Sequence, residues 1–522
     1  MAPRPKQTPE EELNARLRRT DWRFLLPSPR PRRVLCRAGG TLAAAVASIA
    51  DEVIRDGQAL DCDLTVAQDP NPKTLAELRD ALGPGGTCYT EWYPGIGGAS
   101  RVERSLRAAG FEDVTCYRPW PAGVALPVYW IPLGAPGAAA YVRLRRRLRG
   151  GRVRRLLAGL RRRVGYLLRG RIEAPICAIA RRSAVPVPEA PDPVAWLRTG
   201  WPAWGLGPAP ERISTLLVTG GPRSVSKVVL LAFAEPSPLP RVAIKAPRVD
   251  DAAAGVRREG TVLAGLAARR QGSVSGVPRI LVRREIDGLP VVGETALVGR
   301  PLESLLTLRT LGAWSTKVTD WLTGLVARET TFPPAHWRSV IAEPALSRFV
   351  DAFGGVIDDG LLREAEAMVG AIGALPTTPE QRDFGPWNVL VTPAGEIAVL
   401  DWESAELDGL PVLDLLYYLA YASFQVDGAR DRDSRVASYR RSLDPSTRTG
   451  AVRRDCLARY IDALGLDPVQ LGPLRALVWL IHAESDFRHA AADAGGPPPA
   501  EVLARSLFRA LWIEEVRHLA GR

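Results

Sequence analysis

The feature that most constrains this chain is a break in its charge pattern. Between Arg143 and Arg182 lie fifteen arginines and one glutamate, and Pro186, Pro188, Pro191 and Pro193 follow at once. A positive run this dense cannot enter an apolar core without partners. Prolines at this spacing favour an extended spacer over a packed element. The chain therefore reads as two folded halves around a basic segment. Its net charge is +12. The basic segment alone exceeds that value, so the rest is slightly acidic and the high pI belongs to one region.

At 522 residues the chain is long enough for roughly three domains. Hydrophobic residues at 46% and charged residues at 24% are ordinary globular values, which excludes a mainly disordered chain. No apolar run approaches the ~18–20 residues of a membrane span. Met1–Arg33 is charged and Pro-rich, without the apolar centre of a signal peptide, so a cytoplasmic location is the expectation. The cysteines (Cys36, Cys62, Cys88, Cys116, Cys177, Cys456) show no CxxC spacing, which argues against a disulfide framework or zinc site. The histidines (His336, His482, His489, His518) stand apart from every motif described below. Composition divides the chain into a polar lead over 1–32, an alternating region over 33–135, the Arg-rich segment and linker over 136–195, and a large region over 196–522.

In the last region, Leu216–Thr219 and Lys227–Phe233 are apolar and β-rich, and Gly220–Ser226 between them suggests a hairpin. Arg241–Pro247 reads as a third strand, 251–268 as a helix and Val291–Leu297 as another strand. After Pro301 the pattern is mostly helical. Lys245 sits in an apolar strand, where an ammonium is costly unless it meets an anion. Glu259 follows 14 residues later on the helix. A snorkelling surface lysine is the alternative for Lys245.

The strongest signal is Gln381-Arg382-Asp383-Phe384-Gly385-Pro386-Trp387-Asn388, followed by Ile397–Leu400 and then Asp401-Trp402-Glu403. Phosphoryl transfer needs a carboxylate near the attacking hydroxyl and oxygen ligands for Mg²⁺. Asp383, Asn388 and Asp401 supply those groups in that order. The bland alternative makes Asp383 and Asn388 turn formers and Asp401 a helix cap.

At these residues the chain resembles the aminoglycoside phosphotransferase and choline kinase-like family, over about residues 200–500. The resemblance implies an α+β bilobal protein-kinase-like fold, with an N-lobe over 196–300 and a helical C-lobe over 301–522. It implies an ATP- and Mg²⁺-dependent phosphotransferase acting on a hydroxyl of a small molecule. Asp383 would position or deprotonate the acceptor hydroxyl. Asn388 and Asp401 would hold Mg²⁺. Lys245, oriented by Glu259, would contact ATP phosphates. Gly220, Gly221 and Ser224 of the hairpin would cover the phosphates, and Glu294 and Ala296 would belong to the hinge against adenine. Two residues before Asp383, where the family usually has His, stands Gln381. The hairpin also lacks a full GxGxxG. Both departures support an alternative, a catalytically silent scaffold. Glu406, Asp408, Trp479, Glu484 and Asp486 are candidates for acceptor recognition if the acceptor is cationic.

The N-terminal half alternates differently. Arg33–Cys36, Asp63–Ala67, Thr87–Trp92 and Val114–Tyr117 read as strands. Thr41–Val53, Leu75–Leu82 and Val102–Ala109 read as helices, and Leu82–Gly86 as a turn. The alternation suggests an α/β layer domain. Leu82–Gly86 and Leu106–Phe111 resemble the later half of a class I S-adenosylmethionine-dependent methyltransferase, over about residues 30–135. The implied fold is a shortened Rossmann-like domain. The segment that normally carries the ribose acid is missing, so a structural or substrate-presenting domain is the expectation and methyl transfer the alternative. Leucines recur at near-helical spacing among the arginines of 143–182. Such a helix packs on a neighbour, lies on an anionic membrane or contacts nucleic acid. Only Tyr141 and Tyr166 supply aromatics there, which disfavours nucleic acid.

Overall fold

The structure, a computed structural model, describes residues 9–93, 98–121, 126–149, 175–182, 193–220, 227–326, 331–494 and 496–521. The chain forms two compact units. One comprises Met1–Gly260 with Ile280–Leu297, and the other Thr261–Arg279 with Val298–Arg522.

The first unit is organised on a single 12-stranded sheet. Its N-terminal strands are β1 (Arg33–Arg37), β2 (Glu52–Ile54), β3 (Cys62–Gln68), β4 (Leu82–Trp92), β5 (Phe111–Trp120), β6 (Tyr129–Pro132) and β7 (Ile176–Arg182). The remainder are β8 (Ile213–Val218), β9 (Lys227–Ala234), β10 (Pro240–Pro247), β11 (Ile280–Ile286) and β12 (Leu289–Thr295). The order is β11-β12-β10-β9-β8-β6-β5-β7-β4-β3-β1-β2. The pairs β2–β1, β1–β3 and β3–β4 are parallel. Every pair from β4–β7 onward is antiparallel.

Helices cover both faces of the parallel end, as buried parallel strands require. Along β1, Val34 and Cys36 join one core and Leu35 the other, the period-2 alternation of a strand buried on both sides. The first core runs on past the antiparallel strands, through Leu217, Val242 and Val291. The second takes Leu75 and Leu78 from helix Pro72–Ala81 and Val102 and Leu106 from helix Gly98–Ala108.

Four local expectations are corrected. The lead over 1–32 is not merely a polar tail. It holds helix Pro9–Arg19 and the buried turn Asp21–Leu25. Trp22 there stacks on Tyr89 at 3.7 Å. The Asp21 carboxylate takes two hydrogen bonds from Arg248, at 2.8 and 2.9 Å, in full burial. Such a bidentate pair offsets the cost of removing both charges from water. The helix over Thr41–Val53 ends early: it spans Gly40–Val46, and Glu52–Ile54 instead pairs with the edge of β1. Leu82–Gly86 is not a free turn but the irregular start of β4, where the register with β3 shifts. Gly86 is required by close approach, since a Cβ would meet the Cys62 carbonyl at 2.8 Å. Finally, Ile176–Arg182 is not part of a surface helix. It is β7, seated between β4 and β5. Its apolar Ile-Cys-Ala-Ile-Ala run was masked by the arginines on either side. The start of the Arg-rich stretch is helical, as the end of helix Pro136–Arg149, while 150–174 and linker residues 183–192 lie outside the described residues.

The second unit is mainly helical. Its loop-bearing core is a small sheet of Arg300–Pro301, Val389–Val391 and Ile397–Val399. Gly276 holds this sheet closely: its carbonyl accepts from Val399 N at 2.7 Å. Its φ is +76°, and a Cβ would lie 2.2 Å from the Ile397 carbonyl, so only glycine fits. Among the described residues no helix is long and apolar enough to cross a membrane. The six cysteines are free and buried.

Candidate active site

In the first unit, β10 carries Lys245 with β9 and β12 on either side. Its ammonium lies 2.5 Å from the Glu259 carboxylate, on helix Ala253–Arg269, and 2.7 Å from Glu294 on β12. Lys227 stands 3.5 Å from Glu259. Lys245, Glu259 and Glu294 are all buried, so two carboxylates and two ammoniums balance in a dry setting. Burial pushes Glu294 up to about 7, with Lys245 pulling it back.

The second carboxylate was not expected from the sequence as a lysine partner. Glu294 was read as part of the hinge. Its side chain turns to Lys245 because Ala243 is its register partner, two residues from Lys245 on the neighbouring strand. Period-2 alternation then puts both on one face, a signal readable only once the register is known. The Ala296 N–H is already used, donating to the Arg241 carbonyl at 3.1 Å. Gly220 is exposed at the end of β8. Gly221 and Ser224 lie outside the described residues.

In the second unit, Gln381–Asn388 forms a loop gripped from several directions. The Asp414 carboxylate accepts from the backbone N–H of Gln381 at 2.6 Å and of Arg382 at 2.8 Å. The Gln381 side chain is a two-way bridge. Its amide nitrogen donates to the carbonyls of Leu400, at 3.0 Å, and Asp401, at 2.5 Å. Its amide oxygen accepts from Asp383 N at 2.9 Å. Gln381 thus ties the backbone at Asp383 to the backbone at Asp401. Strand pairing adds to this: Val389 faces Val399, and Leu400 N donates to the Asn388 carbonyl at 2.9 Å.

Asp383 is itself held by its neighbours. The Asn388 amide donates to its Oδ2 at 2.9 Å, and the Tyr417 hydroxyl donates to its Oδ1 at 3.1 Å. Burial pushes Asp383 up to about 6 and the Asp401 charge adds to that, while Tyr417, Trp387 and Asn388 oppose it as donors. Arg382 and Asp401 both adopt left-handed backbone, with φ of 69° and 68°. Such strained residues persist where surrounding contacts fix them, and they gather at functional sites. Tyr417 was absent from the sequence reading. It sits in a helical run, Leu413–Asp427, whose first eight residues are all buried, so nothing local separates it from core.

A Mg²⁺ takes oxygen donors and keeps some positions for water and phosphate. The Asp401 carboxylate and the Asn388 amide oxygen are donors of that kind. The Asp401 charge raises Asp383, an effect that a cation there would relieve. Among the described residues no three His, Cys, Asp or Glu side chains gather as a complete metal cage.

No protein-family model matches the sequence, and neither does any curated protein. Solved structures resemble the chain distantly. A thermostable mutant of aminoglycoside phosphotransferase APH(4)-Ia, in complex with ADP and hygromycin B, is 15% identical. The match covers 60% of this chain and 96% of that one, with a TM-score of 0.36. An aminoglycoside phosphotransferase from Alicyclobacillus acidocaldarius is 13% identical over 56% of this chain and 88% of that one, with a TM-score of 0.33. Spectinomycin phosphotransferase APH(9)-Ia, in complex with ADP and spectinomycin, is 11% identical over 58% and 93%, with a TM-score of 0.31. Values this low carry no activity across, and a fold hosts many chemistries.

Proposed function

We propose that the chain is an ATP- and Mg²⁺-dependent phosphotransferase acting on a hydroxyl of a small molecule. The observation that carries this reading is the Gln381 bridge. It joins the backbone of a half-buried, donor-held carboxylate, Asp383, to that of a second carboxylate, Asp401. A carboxylate raised to about 6 suits a group that must accept a hydroxyl proton near neutral pH. Asn388 and Tyr417 each donate to one of its oxygens and so fix its orientation. Asp401 and Asn388 are the residues proposed to hold Mg²⁺, which when bound would neutralise phosphate charge. Lys245 is proposed to take the phosphates, with Glu259 fixing its ammonium. The Gln381 departure supports this reading over a silent scaffold, because Gln381 makes three hydrogen bonds that hold the loop.

The N-terminal α/β layer is proposed to be structural. In parallel sheets ligands sit at the carboxyl ends of the strands. There the Glu91 carboxylate takes hydrogen bonds from Arg19 at 2.6 Å, Tyr89 at 2.8 Å and Gln68 at 3.2 Å. The chain's own N-terminal segment thus supplies the partner of that edge.

The test is ADP formation from ATP and Mg²⁺ across a panel of hydroxyl compounds, with Asp383→Ala as control. Acceptor-dependent ADP release that disappears in the variant supports the reading. Release that is equal in both proteins contradicts it.

A further inference from the structure

The surroundings of Asp383 bear on what kind of hydroxyl compound could sit there. Beyond Tyr417 lies a run of rings. Tyr417 and Tyr421 are 4.7 Å apart, Trp387 meets Tyr421 edge-on at 4.9 Å, and Phe508 lies 6.2 Å from Tyr417. Trp387 is 36% exposed, and Tyr421 and Phe508 are half-buried. Ring surface therefore reaches solvent beside the carboxylate. His482 is buried against Tyr417 at 4.6 Å, and its Nε2 has no hydrogen-bond partner within the protein. One helical turn from His482, about 6 Å along the axis, Asp486 lines a cavity of about 410 Å³. Phe353, Phe487, Ser506 and Leu507 also line it. Sites for small molecules are of this size, mainly apolar with a few polar groups.

Charge narrows the class. Asp486 shares the cavity lining with the Arg505 guanidinium, and the other acids that a polycation would seek are paired. Glu406 lies 3.7 Å from Arg382, Asp408 lies 2.6 Å from Arg269, and Glu484 lies 3.3 Å from Arg348 and 2.7 Å from Arg488. The Tyr421 ring already has a cation, the Arg435 guanidinium, at 5.9 Å. A further cation would compete with these guanidiniums. A flat, uncharged ring brings no charge that must displace these pairs, and its faces stack well on Trp.

We propose that the acceptor is a hydroxyl compound with a planar, uncharged ring system, its face stacked on Trp387 and its edge against Tyr421, with its body toward the Asp486 cavity, and not a polycation. This rests on the phosphotransferase reading. The acceptor oxygen bonds to the γ-phosphorus of a nucleoside triphosphate. The bond from that phosphorus to the bridging oxygen breaks, and the nucleoside diphosphate leaves with its electron pair. The hydroxyl proton passes to Asp383.

The experiment is a binding titration by calorimetry, with 2-(1-naphthyl)ethanol as ring probe and kanamycin as polycation. The proteins are wild type, Trp387→Ala and Tyr421→Leu, each checked for native fluorescence and for Mg²⁺–ATP binding. The expected result is saturable naphthylethanol binding that weakens about tenfold on loss of a stacking ring, with no saturable kanamycin binding. Tighter kanamycin binding, no naphthylethanol binding, or naphthylethanol affinity unchanged in both variants would overturn the proposal. Absence of Mg²⁺–ATP binding would instead refute the phosphotransferase reading, leaving the ring titration to decide on the pocket by itself.

Discussion

Replacing Gln381 by Leu tests the bridge that organises the proposed site. The side chain is 1% exposed and makes three hydrogen bonds. Leucine fills similar volume, so the cavity contribution is small. What is lost is polar. The N–H of Asp383 and the carbonyls of Leu400 and Asp401 lose their side-chain partner. Each buried group left unsatisfied costs about 1–3 kcal/mol. Allowing for water reaching one of them, the sum is about 2–6 kcal/mol, a large share of a typical total of about 5–15 kcal/mol. The backbone grip by Asp414 remains, so the unit should fold but with Asp383 and Asp401 uncoupled. Urea unfolding followed by tryptophan fluorescence measures the cost, and turnover with any accepted hydroxyl measures the uncoupling. Gln381→His keeps one donor and one acceptor and should cost less than half as much. The reasoning is refuted if Gln381→Leu costs under ~1 kcal/mol and leaves turnover unchanged.

Three further outcomes are expected. Asp21→Ala removes one partner of a buried bidentate pair and should destabilise the first unit by about 3–5 kcal/mol, seen by denaturation and faster proteolysis near the N-terminus. Lys245→Met leaves Glu259 and Glu294 together without its ammonium, beside Lys227. Adding Glu294→Gln should recover about 1–3 kcal/mol of that loss, with the double variant melting above the single. Glu380 is raised to about 8 by burial, against the Arg382 charge. An acid raised in the fold favours the folded state at low pH and weakens it as pH climbs from its unfolded value through about 8. Glu380→Gln should therefore match wild type in melting temperature at pH 4 and exceed it at pH 9. Equal melting temperatures at pH 9 would contradict this.

Local pattern and long-range pairing divide what the sequence made legible. The strands around Lys245, the helix bearing Glu259 and the loop from Gln381 to Asn388 announce themselves by apolar runs and spacing. The strand β7 does not, because its partners β4 and β5 lie far off in sequence and its flanks are arginine. The lead before Arg33 reads as polar, yet Trp22 and Asp21 are buried by contacts with Tyr89 and Arg248 that no local window contains. The pairing of Glu294 with Lys245 and the role of Tyr417 were missed for the same reason. One needs the register of β10 and β12 to face Lys245, and the other needs a helix packed behind the loop to reach Asp383. Gln381 was visible as a departure, but two of its three bonds are set by where Leu400 and Asp401 return beneath it.

The central proposal is that Asp401 holds the Mg²⁺ of a bound nucleotide. Calorimetric titration of Mg²⁺–ATP into the full-length protein and its Asp401→Ala variant tests it most directly. The account predicts saturable, Mg²⁺-dependent binding to wild type that the variant loses. No binding to wild type, or equal binding to both with and without Mg²⁺, would contradict it.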